Sequence, residues 1–240
     1  MFTDPSPIRA RIGGVIDLVA LDMAGTTIDD HGSVYLALQR SVEETGASVA
    51  PADLQHWMGT DKTAAIGALM RLGGGAPTPA SVAEAFTRFR VILGEFYREQ
   101  PPVALPGVPD ALRTLRDRGV RIALTTGFDD DVALPILEAL GWHTGPDGLL
   151  DAVVTTSDVV AGRPAPYMIH HTMELTGVTD VRRVLAAGDT VVDIQAARNA
   201  GVIAVGVLSG ALTRAELAEH PHDFLLDSVA DIPDLDVAKA

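Results

Sequence analysis

The sequence of 240 residues contains no cysteine and is poor in basic residues. The absence of cysteine excludes disulfide bonds, thiolate nucleophiles and cysteine-ligated metal sites. With 18 Lys and Arg against 32 Asp and Glu, the formal net charge is −14, which argues against nucleic acid and anionic membranes as partners. No apolar run is long enough to span a bilayer, and residues 1–14 lack a secretory pattern, so we predict a cytoplasmic protein with no membrane partner.

The hydrophobic content of 47% and the mean hydropathy of +0.22 indicate a globular protein with a well-filled core. Between 33 and 100 the apolar residues follow helical spacing, and this stretch contains no convincing strand. The predicted helices lie at 34–46, from about 51, at 62–72 and at 80–99. We therefore predict that residues 31–102 form an inserted α-helical cap domain.

After Pro106-Gly107 the sequence pattern alternates between helix and strand. The predicted strands lie at 120–125, 151–155, 183–187, 202–207 and 224–226, and each is preceded by a predicted helix, at 108–118, 130–140, 165–176, 192–200 and 213–219. Such alternation is typical of a parallel sheet with helices on both faces. We predict the α/β class, with a Rossmann-like doubly wound parallel sheet formed by residues 13–30 and 103–240 and a loosely held tail from 231.

The first strand of this sheet is predicted in the apolar run 15–21, and it delivers Asp22 at its carboxyl end. Open α/β sheets bind ligands at that edge. The next residues, 24–27, predict a tight turn whose backbone N–H groups face an anion. A carboxylate in this position can attack phosphorus if a cation neutralises both charges. The alternative is an Asp that only caps the following segment.

Two further segments place polar groups near the same edge. Strand 120–125 ends in Thr125-Thr126-Gly127, which supplies hydroxyl and N–H groups or is a simple turn. Arg163 precedes a predicted helix, where the helix dipole disfavours a cation. This indicates that Arg163 points at an anion, unless it is an ordinary surface arginine.

The third segment is Gly188-Asp189-Thr190-Val191-Val192-Asp193. An apolar strand ends in Asp189, and Asp193 follows four residues later on the first turn of a helix. Two carboxylates that converge near Asp22 form an oxygen-rich site suited to Mg²⁺. The alternative is that Asp189 is an ordinary helix N-cap.

In this order, Asp22-Met-Ala-Gly-Thr-Thr, Thr125, Arg163-Pro and Gly-Asp189-Thr-x-x-Asp193 resemble the four motifs of the haloacid dehalogenase superfamily, over about residues 15–227. The resemblance implies that Asp22 attacks phosphorus and forms an aspartyl-phosphate, which water hydrolyses. It also implies that Thr125 hydrogen-bonds the phosphoryl oxygens and that Arg163 steadies the nucleophile and the phosphoryl charge.

The same resemblance implies a Mg²⁺ cofactor and a binding site for a small-molecule phosphonate or phosphate ester. Asp189 would bind Mg²⁺ together with Asp22 and the backbone carbonyl of Ala24, and Asp193 would support these ligands. The residues expected to contact the substrate are Ala24, Gly25, Thr26, Met58, Gly59, Thr126 and Gly127.

One position narrows the resemblance to a branch. Superfamily phosphatases carry a second Asp, the general acid, two residues after the nucleophile, and this chain has Ala24 there. Ala24 resembles the phosphonoacetaldehyde hydrolase branch, as do Arg163 in place of the usual lysine and the pattern Met58-Gly59-x-x-Lys62. In that branch a cap lysine forms a Schiff base with the substrate aldehyde. The resemblance also suggests a homodimer through the cap.

Two departures from this branch keep other functions open. The branch has a histidine where this chain has Ala65, and usually a tyrosine where it has Phe128. One alternative is a phosphatase for a small phosphorylated metabolite, and another is a non-catalytic protein that binds a phosphorylated ligand. Lys62 also has a simpler interpretation, a solvated lysine held protonated by Asp61.

Overall fold

The computed structural model describes residues 15–145 and 147–239. The chain divides into two compact units. We call the part up to Ile28 and from Ala104 onward the sheet unit, and Asp29–Val103 the helical unit. The division falls within two short strands, β2 (Ile28–Asp29) and β3 (Val103–Ala104), which pair with each other. The prediction for residues 1–14 lies outside the described residues.

The sheet unit is built on six parallel strands in the order β5-β4-β1-β6-β7-β8. The strands are β1 (Leu18–Asp22), β4 (Arg121–Thr125), β5 (Ala152–Val154), β6 (Val184–Gly188), β7 (Ile203–Val207) and β8 (Phe224–Leu226). Chain order and spatial order differ, because β1 lies in the centre and later strands are added on both sides. The predicted α/β class with a doubly wound parallel sheet is confirmed.

Five helices of the sheet unit connect these strands. They are α5 (Val108–Asp117), α6 (Asp130–Ala139), α7 (Tyr167–Thr176), α8 (Val191–Ala200) and α9 (Arg214–Ala218). Alanines on the central strands, such as Ala20, Ala186 and Ala204, form one buried cluster with residues of α7 and α8. Small side chains on the strands let helices approach the sheet closely, which gives the dense packing typical of protein interiors.

The strand register brings the predicted site residues to one edge. Asp22 lies opposite Thr125 in the β1–β4 pair, and Leu21 lies opposite Ala187 in the β1–β6 pair. Both β1 and β6 therefore end at the same level, and Asp189 follows directly after β6.

The helical unit contains the four predicted helices, α1 (Ser33–Glu43), α2 (Pro51–His56), α3 (Lys62–Leu72) and α4 (Pro79–Glu99). Helix α4 begins with a capping box between Thr78 and Ser81, and its Phe89 is fully buried. Across residues 15–145 and 147–239, no helix combines the length and the apolar character needed to cross a membrane.

The prediction of a loosely held tail from 231 is wrong for residues up to 239. The chain forms 3₁₀ turns at Val229–Asp234 and Asp236–Ala238, and Ile232 is fully buried. The guanidinium of Arg118 donates to the carbonyl oxygen of Pro233 at 2.6 Å. Backbone carbonyl acceptors of this kind leave no pattern in a sequence, so this attachment of the tail cannot be predicted from the residues alone.

Candidate active site

Asp22 occupies the carboxyl end of the central strand β1 and is 7% exposed. Its Oδ1 lies 2.6 Å from a guanidinium nitrogen of Arg163, which is also buried. The same guanidinium donates to a carboxylate oxygen of Asp193 and, at 3.2 Å, to the hydroxyl of Thr125. One arginine thus connects the ends of β1 and β4 with the first turn of α8.

The position of Arg163 corrects one part of the sequence argument. Helix α7 begins at Tyr167, so Arg163 lies in the preceding loop and the helix dipole does not act on it as predicted. The alternative of a surface arginine is also wrong, since Arg163 is 6% exposed.

Asp189 and Asp193 stand where β6 meets α8. Asp193 closes a capping box, in which its carboxylate accepts from the amide of Thr190 at 3.1 Å and from the Thr190 hydroxyl. Asp22, Asp189 and Asp193 each offer an oxygen within 4.8 Å of the others, a group that could hold a metal ion. The alternative of Asp189 as the N-cap does not hold, because Thr190 occupies the N-cap position.

The cluster carries an excess of buried negative charge. Burial raises the pKa of Asp22 to about 6, an effect that Arg163 reduces and Asp193 reinforces. Burial raises the pKa of Asp189 well above its usual range, and the charges of Asp22 and Asp193 add to this. Burial opposes the charge of Arg163, but Asp193 and Asp22 outweigh it, so its pKa is raised. Three carboxylates against one guanidinium form an oxygen-rich site that could hold a cation, and hard oxygen donors suit Mg²⁺.

The turn after Asp22 differs from the prediction that its amides face an anion. The amide of Gly25 donates to Ile28 O at 2.8 Å, and the amides of Thr26 and Thr27 donate to Met23 O at 3.2 and 2.9 Å. The amides of Gly25 and Thr26 are therefore used inside the turn. The turn closes this tightly because Gly25 adopts a φ of +84°.

Ala24 remains available for the predicted contacts with the substrate and the metal. It forms an isolated bridge with Ile28, and the hydrogen bonds of that bridge use atoms of Met23, Gly25 and Ile28. The amide of Ala24 lies outside this pattern. Thr26 contributes through its side chain instead, since its fully buried hydroxyl donates to Asp189 Oδ1 at 2.9 Å.

The turn after β4 holds the other predicted substrate contacts. The Thr126 amide donates to Val154 O at 3.1 Å, and the Thr126 hydroxyl accepts from the Phe128 amide at 3.2 Å. Gly127 lies buried between them. Thr126 thus shapes the turn that follows Thr125, and its contact with the substrate stays a prediction.

Two hydroxyls that sequence reasoning missed also hold the site. Thr190 donates to Asp193, and Thr27 Oγ1 donates to the carbonyl oxygen of Asp22 at 2.8 Å. The spacing from Thr190 to Asp193 matches a capping box and could have revealed the first. The second reaches back to a main-chain carbonyl, for which the sequence carries no signal.

Met58, Gly59 and Lys62 lie in the helical unit, in and beside the turn between α2 and α3. Gly59 adopts a φ of +75°, and the side chain of Asp61 caps α3. Lys62 is 4% exposed, and its Nζ donates to Thr60 O at 3.0 Å. The alternative of a solvated surface lysine is therefore wrong.

The structure thus collects one group of predicted residues within the sheet unit: Asp22, Ala24, Thr125, Arg163, Asp189 and Asp193. The chain also matches the family of haloacid dehalogenase-like hydrolases over residues 16–201. The chain belongs to this family. As a member of this family, the haloacid dehalogenase-like hydrolase is an enzyme.

Among its relatives, this hydrolase is 32% identical over 209 residues to the phosphonoacetaldehyde hydrolase of Bacillus cereus (strain B4264), covering 81% of this chain and 76% of the relative. It is 30% identical over 236 residues to that of Latilactobacillus sakei subsp. sakei (strain 23K), covering 90% and 86%. A solved structure of a phosphonoacetaldehyde hydrolase like protein from Oleispira antarctica matches with a TM-score of 0.78 and 24% identity, covering 95% and 94%. The predicted resemblance to the phosphonatase branch is confirmed.

Proposed function

We propose that this hydrolase depends on Mg²⁺, forms an aspartyl-phosphate on Asp22 and cleaves the carbon–phosphorus bond of phosphonoacetaldehyde or a close analogue. The observation that carries the proposal is the buried Asp22 carboxylate at the end of β1, paired with Arg163 inside a cluster of three carboxylates. The names of the relatives support the substrate class.

The residues present fit a magnesium ion. Asp22, Asp189 and the carbonyl of Ala24 would hold it, whereas both oxygens of Asp193 already accept hydrogen bonds from Arg163 and Thr190. Asp193 therefore supports the site by orienting Arg163. When bound, the ion supplies the positive charge that lets an anionic nucleophile approach an anionic phosphonate.

In the first half of the reaction, the amine of Lys62 condenses with the substrate aldehyde and releases water. A carboxylate oxygen of Asp22 then attacks phosphorus, and the electron pair of the breaking C–P bond moves into the protonated imine to give an enamine. The imine thus accepts the charge that a leaving carbanion would otherwise carry. The position of Lys62 as the buried first residue of α3 supports this role, because the hydrogen bond from its Nζ to Thr60 O holds the amine in one place, shielded from bulk water.

In the second half, the enamine carbon takes up a proton, and water hydrolyses the resulting imine to acetaldehyde and the free amine of Lys62. Another water hydrolyses the aspartyl-phosphate, which releases phosphate and restores Asp22. The net reaction consumes one water. Arg163 and Thr125 would bind the phosphoryl oxygens, together with the amide of Ala24. An acid at position 24 has no task here, because no alcohol leaves.

A second candidate function is a phosphatase for a small phosphorylated metabolite. The observation that favours it is Ala65, a fully buried residue without a titratable group at the place where the phosphonatase pattern has a histidine. A phosphatase would keep the chemistry of Asp22 and would not need the imine of Lys62. The third candidate, a non-catalytic protein that binds a phosphorylated ligand, would need neither.

The test is release of inorganic phosphate by the wild-type protein with Mg²⁺, from phosphonoacetaldehyde and from a panel of phosphate esters. We expect release from the phosphonate, its loss with EDTA and its return with added Mg²⁺. Release from an ester alone would replace the proposal with the phosphatase. No release from any substrate, combined with stabilisation by phosphate and Mg²⁺, would favour the non-catalytic protein.

The homodimer and the cytoplasmic location stay predictions, and light scattering tests the first.

A further inference from the structure

The loop after β7 contacts the candidate active site, although none of its residues belongs to a motif of the sequence analysis. The amide of Leu208 donates to Leu226 O at 3.1 Å, and Ser209 and Gly210 follow at the carboxyl edge of the sheet. Strand β7 pairs with β6, so this loop is the neighbour of the loop that carries Asp189.

Gly210 lies directly against the carboxylate of Asp189. A Cβ atom on Gly210 would stand 1.9 Å from Oδ2 and 2.5 Å from Cγ of Asp189, distances that no side chain can adopt. Gly25 approaches the same carboxylate, since its Cβ would stand 2.7 Å from Oδ2. With the hydroxyl of Thr26 on Oδ1, two glycines and one hydroxyl confine the carboxylate. Asp189 therefore has little freedom to turn away from its neighbours.

Ser209 is hydrogen-bonded to the turn that contains Gly25. Its Oγ donates to the carbonyl oxygen of Gly25 at 2.7 Å. The peptide group directly before it in the chain, between Ala24 and Gly25, contains the carbonyl of Ala24, which we expect to bind the metal. A hydrogen bond to the next carbonyl limits rotation of the turn and so fixes where the Ala24 carbonyl points.

We propose that Ser209 and Gly210 are positioning residues, of which Gly210 fixes the carboxylate of Asp189 and Ser209 fixes the turn that carries the Ala24 carbonyl beside Asp22. The inference rests on the proposed function, because it supposes that this site takes a divalent cation. It adds the loop after β7 to the segments that build the site.

The test is the affinity of the full chain for Mn²⁺, measured by electron paramagnetic resonance, since Mn²⁺ accepts the same oxygen ligands as Mg²⁺. We expect Gly210→Ala to lower the affinity at least tenfold, because the new methyl group displaces Asp189. We expect Ser209→Ala to lower it about fivefold, the effect of one net hydrogen bond. Ser209→Thr keeps the hydroxyl and should stay within twofold of the wild type.

Two matched controls separate positioning from general damage. Gly94→Ala adds a methyl group at an exposed helical glycine with open space around it, and Ser157→Ala removes an exposed loop hydroxyl that accepts from the backbone amide of Asp130. Both should bind Mn²⁺ like the wild type. The melting temperature of the metal-free variants is the second readout, since a merely structural role would lower it in step with the affinity.

Unchanged Mn²⁺ affinity in folded Gly210→Ala and Ser209→Ala would overturn the inference, and if Gly210→Ala does not fold, the comparison of Ser209→Ala with Ser209→Thr decides. A wild type that binds no Mn²⁺ would overturn both the inference and the metal assignment of the proposed function. A wild type that binds Mn²⁺ but releases no phosphate would overturn the proposed function alone, and the affinity ratios would still decide the inference.

Discussion

The sheet unit and the helical unit hold their chemically active side chains in different ways. Asp22 stands at a strand end that the register of a six-stranded sheet fixes, and Arg163 connects it to two further elements. Lys62 is the first residue of α3, and its amine donates to the carbonyl oxygen of Thr60 in the turn before the helix. If Lys62 acts as proposed, a change in that turn would alter the range of substrates without disturbing Asp22. We therefore expect variants of the two units to fail on different sets of substrates.

The largest expected effect is that of Asp22→Asn, which removes the proposed nucleophile. Turnover of every phosphorus substrate should fall by about 10⁴-fold or more, since an amide cannot form the covalent intermediate. Phosphate release checks this. Asp151→Asn is the matched control, because Asp151 is a carboxylate of the same unit that pairs with Arg116 at 3.0 Å, away from the cluster. Asp22→Asn with a tenth of wild-type activity would contradict the assignment.

The second effect concerns Lys62 and depends on the substrate. Lys62→Ala should lower release from phosphonoacetaldehyde by about 10³-fold, because the C–P bond loses its electron sink, and should change release from any accepted ester by less than tenfold. Lys62→Arg keeps the charge but forms no imine, so it should be as inactive as Lys62→Ala on the phosphonate. An active Lys62→Arg would show that charge alone suffices.

The imine can also be trapped directly. The chain contains only two lysines, Lys62 and Lys239, and the second is an exposed residue near the C-terminus that lies 3.5 Å from Asp236. Borohydride reduction with the aldehyde substrate should add mass to the peptide with Lys62 in the wild type and in Lys239→Ala. Labelling that persists in Lys62→Ala would overturn the Schiff base.

The same contrast explains how far the sequence could predict the molecule. Strand ends are predictable, because apolar runs that stop at Asp22, Thr125 and Asp189 must meet at one edge of a parallel sheet. Contacts that depend on backbone shape were not. The amides of the turn at Gly25 donate to carbonyl oxygens within that turn. The close contact between Gly210 and Asp189 depends on how two separate loops lie in the structure.

The third effect is the pH dependence of stability without metal. The pKa of Asp22 is about 6 in the folded protein, above its value in the unfolded chain. Between about pH 4 and 6 the folded state therefore binds more protons than the unfolded state, and the free energy of unfolding falls as the pH rises. Asp22→Asn carries no charge there and should be more stable than the wild type at pH 7.5 by up to about 3 kcal/mol, with no difference at pH 4. Urea unfolding in EDTA measures both.

Mg²⁺ should reverse this difference. We expect Mg²⁺ to stabilise the folded wild type by binding its carboxylates, and the gain in free energy of unfolding should grow from pH 4 to 7.5 as Asp22 loses its proton. Asp30 is the residue for comparison. It is a buried carboxylate of the helical unit whose pKa is also raised by burial, but its oxygens accept hydrogen bonds from the amides of Gly32 and Val34. An equal response to Mg²⁺ in Asp22→Asn would contradict a metal role for Asp22.

The smallest effect compares one buried threonine hydroxyl from each unit. Thr26 donates to Asp189 at 2.9 Å, and Thr60 donates to Trp57 O at 2.7 Å in the turn before Lys62. Thr26→Val should lower turnover about tenfold on every substrate, because a buried carboxylate loses one donor. Thr60→Val should lower turnover only on the aldehyde substrate, because it loosens the turn that holds Lys62. The variants Thr26→Ser and Thr60→Ser keep the hydroxyls and should retain the activity that each valine variant loses. If Thr60→Val lowered ester and phosphonate turnover equally, the two units would not divide the chemistry as we propose, and the turn at Lys62 would serve the nucleophile as well.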